Sequence, residues 1–157
     1  MPDMPALALP DLQATEALGR RLAGLLRAGD AVLLDGPLGA GKTALARALL
    51  RALASNPALE VPSPSYTLVQ TYDTPVGPVH HYDLWRLDGA DAVAELGWGE
   101  ARDGVVLVEW PDRLGPLRPD DALAVTLRAQ PGGARSAELS GWPDRLHLLA
   151  HGSGLVP

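Results

Sequence analysis

The sequence contains no cysteine among its 157 residues. Disulfides and thiolate metal sites are therefore excluded, and the composition fits the reducing environment of the cytoplasm. There is also no apolar run long enough to cross a membrane, and residues 1–9 lack the basic start of a secretory signal. We therefore expect a cytoplasmic protein with one domain over residues 1–157, in which residues 1–9 and 152–157 are loose ends.

Basic residues are scarce as well. Lysine and arginine together number 13 against 19 acidic residues, which gives a formal net charge of −6. A protein that binds RNA by itself normally has a basic surface that displaces counterions from the phosphates. We therefore do not expect autonomous nucleic-acid binding. The histidines show no paired spacing that is typical of a zinc site; they are His80, His81, His147 and His151.

The densest chemical signal lies between residues 31 and 53. Residues 31–35 are mostly apolar and end in a carboxylate, which predicts a buried strand. Residues 36–43 read Gly-Pro-Leu-Gly-Ala-Gly-Lys-Thr and match G-x-x-x-x-G-K-[ST] at every fixed position. Leu45, Leu49 and Leu53 then recur at every fourth position, which predicts an amphipathic helix. A strand, a glycine-rich turn and a helix in this order predict a phosphate-binding loop.

The chemistry of such a loop follows from its residue types. Glycines allow a tight turn whose N–H groups point at an anion, and the start of the following helix adds partial positive charge. Lys42 is placed to reach the β- and γ-phosphates of ATP, and the Thr43 hydroxyl is placed to contact Mg²⁺. A glycine-rich turn that only joins a strand to a helix is the alternative. The predicted nucleotide-binding residues of the loop are Leu38, Gly39, Ala40, Gly41, Lys42 and Thr43.

The other predicted elements describe an α/β fold. We expect one small domain with a mostly parallel central sheet, extended by antiparallel strands and covered by helices on both faces. The predicted elements are a helix at 11–28, a hairpin of strands at 66–72 and 79–82, a helix at 90–96, a buried strand at 105–109, a second hairpin at 122–129 and 134–139, and a strand or short helix at 144–150. The pentapeptide Trp-Pro-Asp-Arg-Leu occurs at 110–114 and again at 142–146, and we interpret the second copy as a coincidence.

Two acidic residues are candidates for the chemistry at the phosphates. Glu109 ends a buried strand, and the carboxyl ends of parallel strands are where ligands of such sheets collect. It is the best candidate for the second Mg²⁺ contact, the alternative being a carboxylate in a salt bridge at the sheet edge. Asp83 is the best second acid, for a metal-bound water or for activation of the nucleophile; it could instead form a turn.

Three further residues have open interpretations. Ser63 and Ser65 lie in a proline-flanked loop and could sense the γ-phosphate as a switch, or could be turn residues. Trp110 follows Glu109 and could simply pack in the core.

These motifs together resemble the TsaE family, the small bacterial ATPases of tRNA threonylcarbamoyladenosine biosynthesis. The resemblance covers roughly residues 9–139 and depends on the order and spacing of short motifs behind the loop. The motifs are Gln13-Ala14-Thr15 with Leu18-Gly19, residues 38–43, Ser-Pro-Ser-Tyr-Thr-Leu-Val at 63–69, His-Tyr-Asp-Leu-Trp-Arg-Leu at 81–87, and Leu-Val-Glu-Trp-Pro at 107–111.

The resemblance implies a role for several residues. Thr15, which by itself is an ordinary helical threonine, would lie near the nucleotide base or ribose. Asp83 would be required for hydrolysis, with Lys42 and Glu109 completing the catalytic group, and Thr43 with Glu109 would bind the metal. Trp110 would lie beside the site. The family usually has threonine at the position of Ser65, but serine keeps the hydroxyl.

The resemblance also implies a function and its partners. Such a protein hydrolyses ATP with Mg²⁺ while bound to a complex of the threonylcarbamoyl transferase TsaD and its paralogue TsaB, and it contacts tRNA only indirectly. A small-molecule kinase with a phosphate-binding loop is the alternative, although no arginine-rich lid is visible in the sequence. A scaffold that binds ATP and barely hydrolyses it would use the same residues. GTPases normally recognise guanine through an Asn-Lys-x-Asp stretch. The only asparagine in the sequence, Asn56, is followed by Pro57, so we exclude a GTPase.

Overall fold

The computed structural model describes residues 6–37, 39–62, 68–87, 89–142 and 144–145. The strands in this part of the chain are β1 (Leu7–Leu9), β2 (Ala31–Asp35), β3 (Val69–Thr74), β4 (Gly77–Asp83), β5 (Val105–Glu109), β6 (Leu123–Ala129) and β7 (Arg135–Ser140). The α-helices are α1 (Leu12–Ala23), α2 (Lys42–Leu53), α3 (Ala90–Ala94) and α4 (Trp98–Ala101). Two 3₁₀ segments cover Pro111–Leu117 and Pro131–Gly133. None of the helices in these ranges is long and apolar enough to span a bilayer.

The strands form one mixed sheet with the order β1-β7-β6-β2-β5-β4-β3. The four central strands β6, β2, β5 and β4 are parallel to one another, and β7, β1 and β3 extend the sheet in antiparallel pairs. This confirms the predicted parallel centre with antiparallel extensions. Strands β2 and β5 are apolar runs because helices cover both of their faces.

Helices on both faces of the sheet are also confirmed. On one face, α1 and α2 bury leucines against β2 and β5, including Leu18, Leu45 and Leu49. On the other face, Val93 of α3 and Trp98 of α4 pack in a second apolar cluster with the sheet. The two helices α1 and α2 approach very closely, since a Cβ atom at Gly19 would lie 2.7 Å from that of Ala48.

The N-terminal boundary differs from the prediction. Residues 7–9 were expected to be loose, but they form β1, which pairs with residues 135–137 of β7. Leu9 is buried, so this short strand joins the core at the sheet edge. A three-residue strand has too few residues to show a periodic pattern, and its partner is distant in the sequence.

Several other boundaries differ from the predictions. Helix α1 begins after Asp11, whose carboxylate accepts a hydrogen bond from the Ala14 N–H at 2.9 Å, and it ends at Ala23 rather than at residue 28. The first hairpin turns at Pro75 and Val76, because β3 continues to Thr74 and β4 begins at Gly77. The predicted helix at 90–96 ends at Ala94. Residues 66–67 and 146–150 lie outside the described residues.

Candidate functional site

The loop between β2 and α2 has the conformation that its glycines allow. Gly36 has φ of 143°, and a Cβ atom there would lie 2.5 Å from the Leu127 carbonyl oxygen. Gly41 has φ of 104° and directly precedes α2. A side chain at either position would be strained, and at Gly36 it would also collide with the backbone of β6. Since Gly41 has no side chain to cap the helix, the N–H groups of the first turn of α2 are available for an anion.

Lys42 is buried beneath this loop. Its ammonium donates hydrogen bonds to the carbonyl oxygens of Gly36 and Pro37, the second at 3.2 Å. It also lies 4.1 Å from the centre of the Trp110 ring, which places a cation over an aromatic face. Burial lowers the pKa of Lys42 below its usual 10.5, and the nearby carboxylates of Glu109, Asp35 and Asp83 oppose this effect. Three carboxylates thus act on the single Lys42 ammonium.

Asp83 and Glu109 are register partners at the ends of the adjacent parallel strands β4 and β5. Both are buried. The Thr43 hydroxyl, from the first turn of α2, donates to the Glu109 Oε1 atom at 3.2 Å. The fold therefore brings together the loop and both acids; the sequence predicts that Glu109 faces the loop and places Asp83 at a strand end. Asp83 has a second role as well, since its Oδ1 atom accepts from the Trp85 N–H at 3.3 Å in the turn after β4.

Thr43 and Glu109 fit a magnesium ion that is shared with phosphates. Two neighbouring ligands of octahedral Mg²⁺ at about 2.1 Å lie about 3 Å apart, close to the separation of these two oxygens. No group of three or more His, Cys, Asp or Glu side chains that could hold a metal is found within the described ranges. Proteins usually hold Mg²⁺ through one or two carboxylates together with phosphates and water.

Two residues at this site have no predicted role. His81 is fully buried on the same face of β4 as Asp83, and its Nε2 atom lies 2.7 Å from Glu109 Oε2. Arg135, at the start of β7, donates from Nη2 to the Gly39 carbonyl oxygen at 2.9 Å and packs against Gly41. The two-residue spacing of His81 and Asp83 along a strand is the signal that places them on one face. Nothing in the sequence near Arg135 indicates its contact with the loop.

The remaining predicted site residues are distributed as follows. Trp110 lies against Lys42, and Gly39 and Ala40 form part of the loop. Thr15 is buried in α1, where its N–H donates to the Asp11 carbonyl oxygen at 3.3 Å. Its place beside a nucleotide stays a prediction. Leu38, Ser63 and Ser65 lie outside the described residues, so the predicted switch also stays a prediction.

Comparisons with known proteins cover most of the chain. The profile of the family described as "Threonylcarbamoyl adenosine biosynthesis protein TsaE" matches residues 9–137. A protein from a Synechocystis species is 41% identical over 115 residues, which cover 69% of this chain and 71% of that protein. One from a Nostoc species is 34% identical over 142 residues, 87% of this chain and 86% of its own length. Both are named tRNA threonylcarbamoyladenosine biosynthesis protein TsaE.

A solved structure shows the same fold. The crystal structure of YdiB from Bacillus subtilis superposes with a TM-score of 0.72 at 23% sequence identity, and the match covers 96% of this chain and 94% of that one. The match to the family profile includes the glycine-rich loop and the residues of β2 to β6. The chain belongs to the TsaE family.

Proposed function

We propose that this protein binds and hydrolyses ATP with Mg²⁺, and that it thereby supports the biosynthesis of threonylcarbamoyladenosine in tRNA. One observation carries the hydrolysis: Lys42, Thr43, Asp83 and Glu109 converge where a glycine-rich loop meets the ends of two parallel strands. The name shared by its relatives supports the pathway.

In the proposed reaction, the loop N–H groups and Lys42 bind the β- and γ-phosphates. Lys42 turns from the carbonyl oxygens of Gly36 and Pro37 toward the phosphate oxygens. Thr43 and Glu109 hold the magnesium ion, which when bound neutralises phosphate charge. Asp83 orients the water that attacks the γ-phosphate in line with the leaving oxygen.

The remaining proposed contacts involve the nucleotide and the partners. Thr15 lies near the base or ribose, Trp110 closes the side of the phosphate site, and Ser65 senses the γ-phosphate. The protein partners are the TsaD and TsaB proteins in the cytoplasm, and tRNA is reached only through them. The formal net charge of −6 supports protein partners over direct RNA contact. We expect hydrolysis to be slow for the protein alone and faster in the partner complex.

Phosphate release by the purified protein tests this function. Wild type is compared with Asp83→Asn and Glu109→Gln, each with and without TsaD and TsaB. These isosteric changes remove a carboxylate with little change in volume, and we expect partner-stimulated release to fall about 100-fold or more. Asp73→Asn is the matched control, because Asp73 is an exposed residue of β3 that pairs with Pro78, at the opposite end of β4 from Asp83.

Two results would contradict the proposal. Equal rates of phosphate release with and without TsaD and TsaB would contradict the proposal that the partner complex stimulates hydrolysis. ATP consumption only in the presence of a small acceptor, with phosphate transferred to that acceptor, would make the protein a kinase.

A further inference from the structure

His81 and Glu109 form a buried pair beside the phosphate-binding loop. Their Nε2 and Oε2 atoms are 2.7 Å apart, and the side chains are 0% and 3% exposed. The pair joins neighbouring parallel strands, since Glu109 is in register with Asp83, two residues after His81 on β4. Strand geometry therefore places His81 and Asp83 on the same face as Glu109, with Asp83 level with Glu109 and His81 level with Leu107, two residues before it.

Each oxygen of the Glu109 carboxylate has its own partner. Oε2 faces His81, and Oε1 accepts from the Thr43 hydroxyl at 3.2 Å. Because a carboxylate accepts hydrogen bonds and does not donate them, the His81 Nε2 atom carries the hydrogen in this contact. Rotation of the carboxylate would break the contact with His81 in a place from which water is excluded. The orientation of Oε1 toward Thr43 is therefore fixed by the histidine.

The other ring nitrogen of His81, Nδ1, does not hold a second group in place. The His81 Nδ1 atom is buried and has no hydrogen-bond partner in the described part of the chain. Within the described residues, the hydrogen bond that His81 forms through its side chain is the one to Glu109.

We propose that His81 is a positioning residue: it orients the Glu109 carboxylate so that Oε1, together with the Thr43 hydroxyl, faces the metal of a bound metal–nucleotide complex. This inference rests on the proposed function of the site. Hydrogen bonds from a second layer of residues commonly orient carboxylate ligands, and their loss weakens metal binding about 10- to 100-fold. A metal-free nucleotide does not need this orientation.

The test measures metal affinity directly, with Mn²⁺ in place of Mg²⁺ and electron paramagnetic resonance as the readout. Mn²⁺ is titrated into each protein with saturating ADP, and ADP affinity is also measured in EDTA. His81→Leu removes the donor, and we expect the dissociation constant for Mn²⁺ to rise about 10-fold or more with ADP affinity in EDTA unchanged. His81→Gln keeps an N–H donor and should restore much of the affinity. His80→Gln is the control, since His80 lies on the opposite face of β4, where it stacks with Tyr82.

Combining His81→Leu with Glu109→Gln tests whether His81 acts on the metal through Glu109 or through the stability of the protein. If His81 acts through Glu109, His81→Leu adds no further loss of Mn²⁺ affinity in that background. Thermal unfolding and circular dichroism are recorded for every variant. Should the leucine variant not fold, His81→Asn replaces it, because its amide is too short to reach Glu109, and the same loss is expected.

The outcomes distinguish this inference from the proposed function. Two results would overturn the positioning role and leave the proposed function standing. In the first, folded His81→Leu binds Mn²⁺ with wild-type affinity. In the second, His81→Leu lowers the Mn²⁺ affinity of the Glu109→Gln variant as much as it lowers that of wild type. Wild-type protein that shows no metal-dependent ADP binding would overturn both.

Discussion

Trp110 has a left-handed backbone conformation that large residues rarely adopt, with φ of 60°. This turn comes directly after Glu109 and directs the ring over the Lys42 ammonium. Trp142, the first residue of the repeated pentapeptide, has φ of 51° and lies 4.1 Å below the guanidinium carbon of Arg145. Both tryptophans thus combine a strained turn with a cation on the ring. The sequence shows the repeat but not this geometry, because the lysine on Trp110 comes from another part of the chain.

Tyr82 gives the protein a specific response to alkaline pH. Its ring is fully buried, its hydroxyl donates to the Leu96 carbonyl oxygen at 3.0 Å, and burial raises its pKa to about 12. The unfolded chain ionises this tyrosine near pH 10, while the folded protein keeps it neutral. Its contribution to stability is therefore complete below pH 10 and is lost as the pH rises from 10 to about 12.

Tyr82→Phe removes both the hydrogen bond and this titration. At neutral pH we expect the free energy of unfolding to fall by about 1 kcal/mol. Between pH 10 and 12, urea unfolding should show a weaker pH dependence than in wild type. An equally steep decline in both proteins would assign the alkaline response to other groups.

At the scale of elements, the contact of α1 with α2 depends on a glycine. A Cβ atom at Gly19 would lie 2.7 Å from the Ala48 Cβ atom and 3.1 Å from the Leu49 nitrogen. Gly19→Ala should force the helices apart and lower the free energy of unfolding by about 1–3 kcal/mol, measured by urea unfolding. The double variant Gly19→Ala with Ala48→Gly should recover most of the loss, because it moves the methyl group to the other helix.

Gly24→Ala is the control for this experiment. Gly24 follows α1 with φ of −66°, and a Cβ atom there would have its nearest neighbour at 3.5 Å, an ordinary contact. It should change stability by less than about 0.5 kcal/mol. Additive losses in the double variant of Gly19 and Ala48 would show that their contact does not set the helix spacing.

The same scale shows which elements the sequence can predict. The strand, loop and helix between Ala31 and Leu53 follow from local patterns, and the structure reproduces them closely. Glu109 is predicted to face the loop because ligands collect where parallel strands end, whereas Asp83 is predicted only to lie at the end of a hairpin strand. The end of α1 was missed, since leucines continue beyond Ala23 in the turn before β2. Apolar periodicity does not distinguish a helix from a buried turn that follows it.

Contacts between residues far apart in the sequence could not be predicted, because they depend on the strand register. His81 meets Glu109, and Arg135 meets Gly39, only because the strand register brings them together. Register is decided by the packing of the whole sheet and not by the residues that it brings into contact. Strand β1 was missed for the same reason, because its partner β7 is near the other end of the described chain.

At the scale of the whole molecule, Arg145 joins the last described residues to the first half of the chain. Its two terminal nitrogens contact both oxygens of Asp30, at 2.5 and 3.0 Å, and Nη1 also donates to the Leu25 carbonyl oxygen at 3.1 Å. The hydrogen bond with Asp30 raises the pKa of Arg145 above its ordinary value. We expect Arg145→Ala to lower the free energy of unfolding by about 2 kcal/mol, measured by urea unfolding.

Arg128→Ala is the comparison for this prediction. The ion pair of Arg128 with Glu138 has both side chains at least half exposed, so its removal should cost less than about 0.5 kcal/mol. Equal effects of the two changes would show that the Arg145 contacts contribute no more than a surface pair.

The pairing of β1 with β7 also sets an order for assembly during synthesis. Leu9 of β1 is made before its partner Arg135 of β7, and the other five strands of the described residues are made between them. Strand β2 likewise waits for β5 and then β6, whereas β3 and β4 are neighbours that pair as soon as both emerge. A nascent chain therefore holds β1 and β2 unpaired until later strands have been made, and β1 finds its partner only when β7 is complete, at one edge of the sheet.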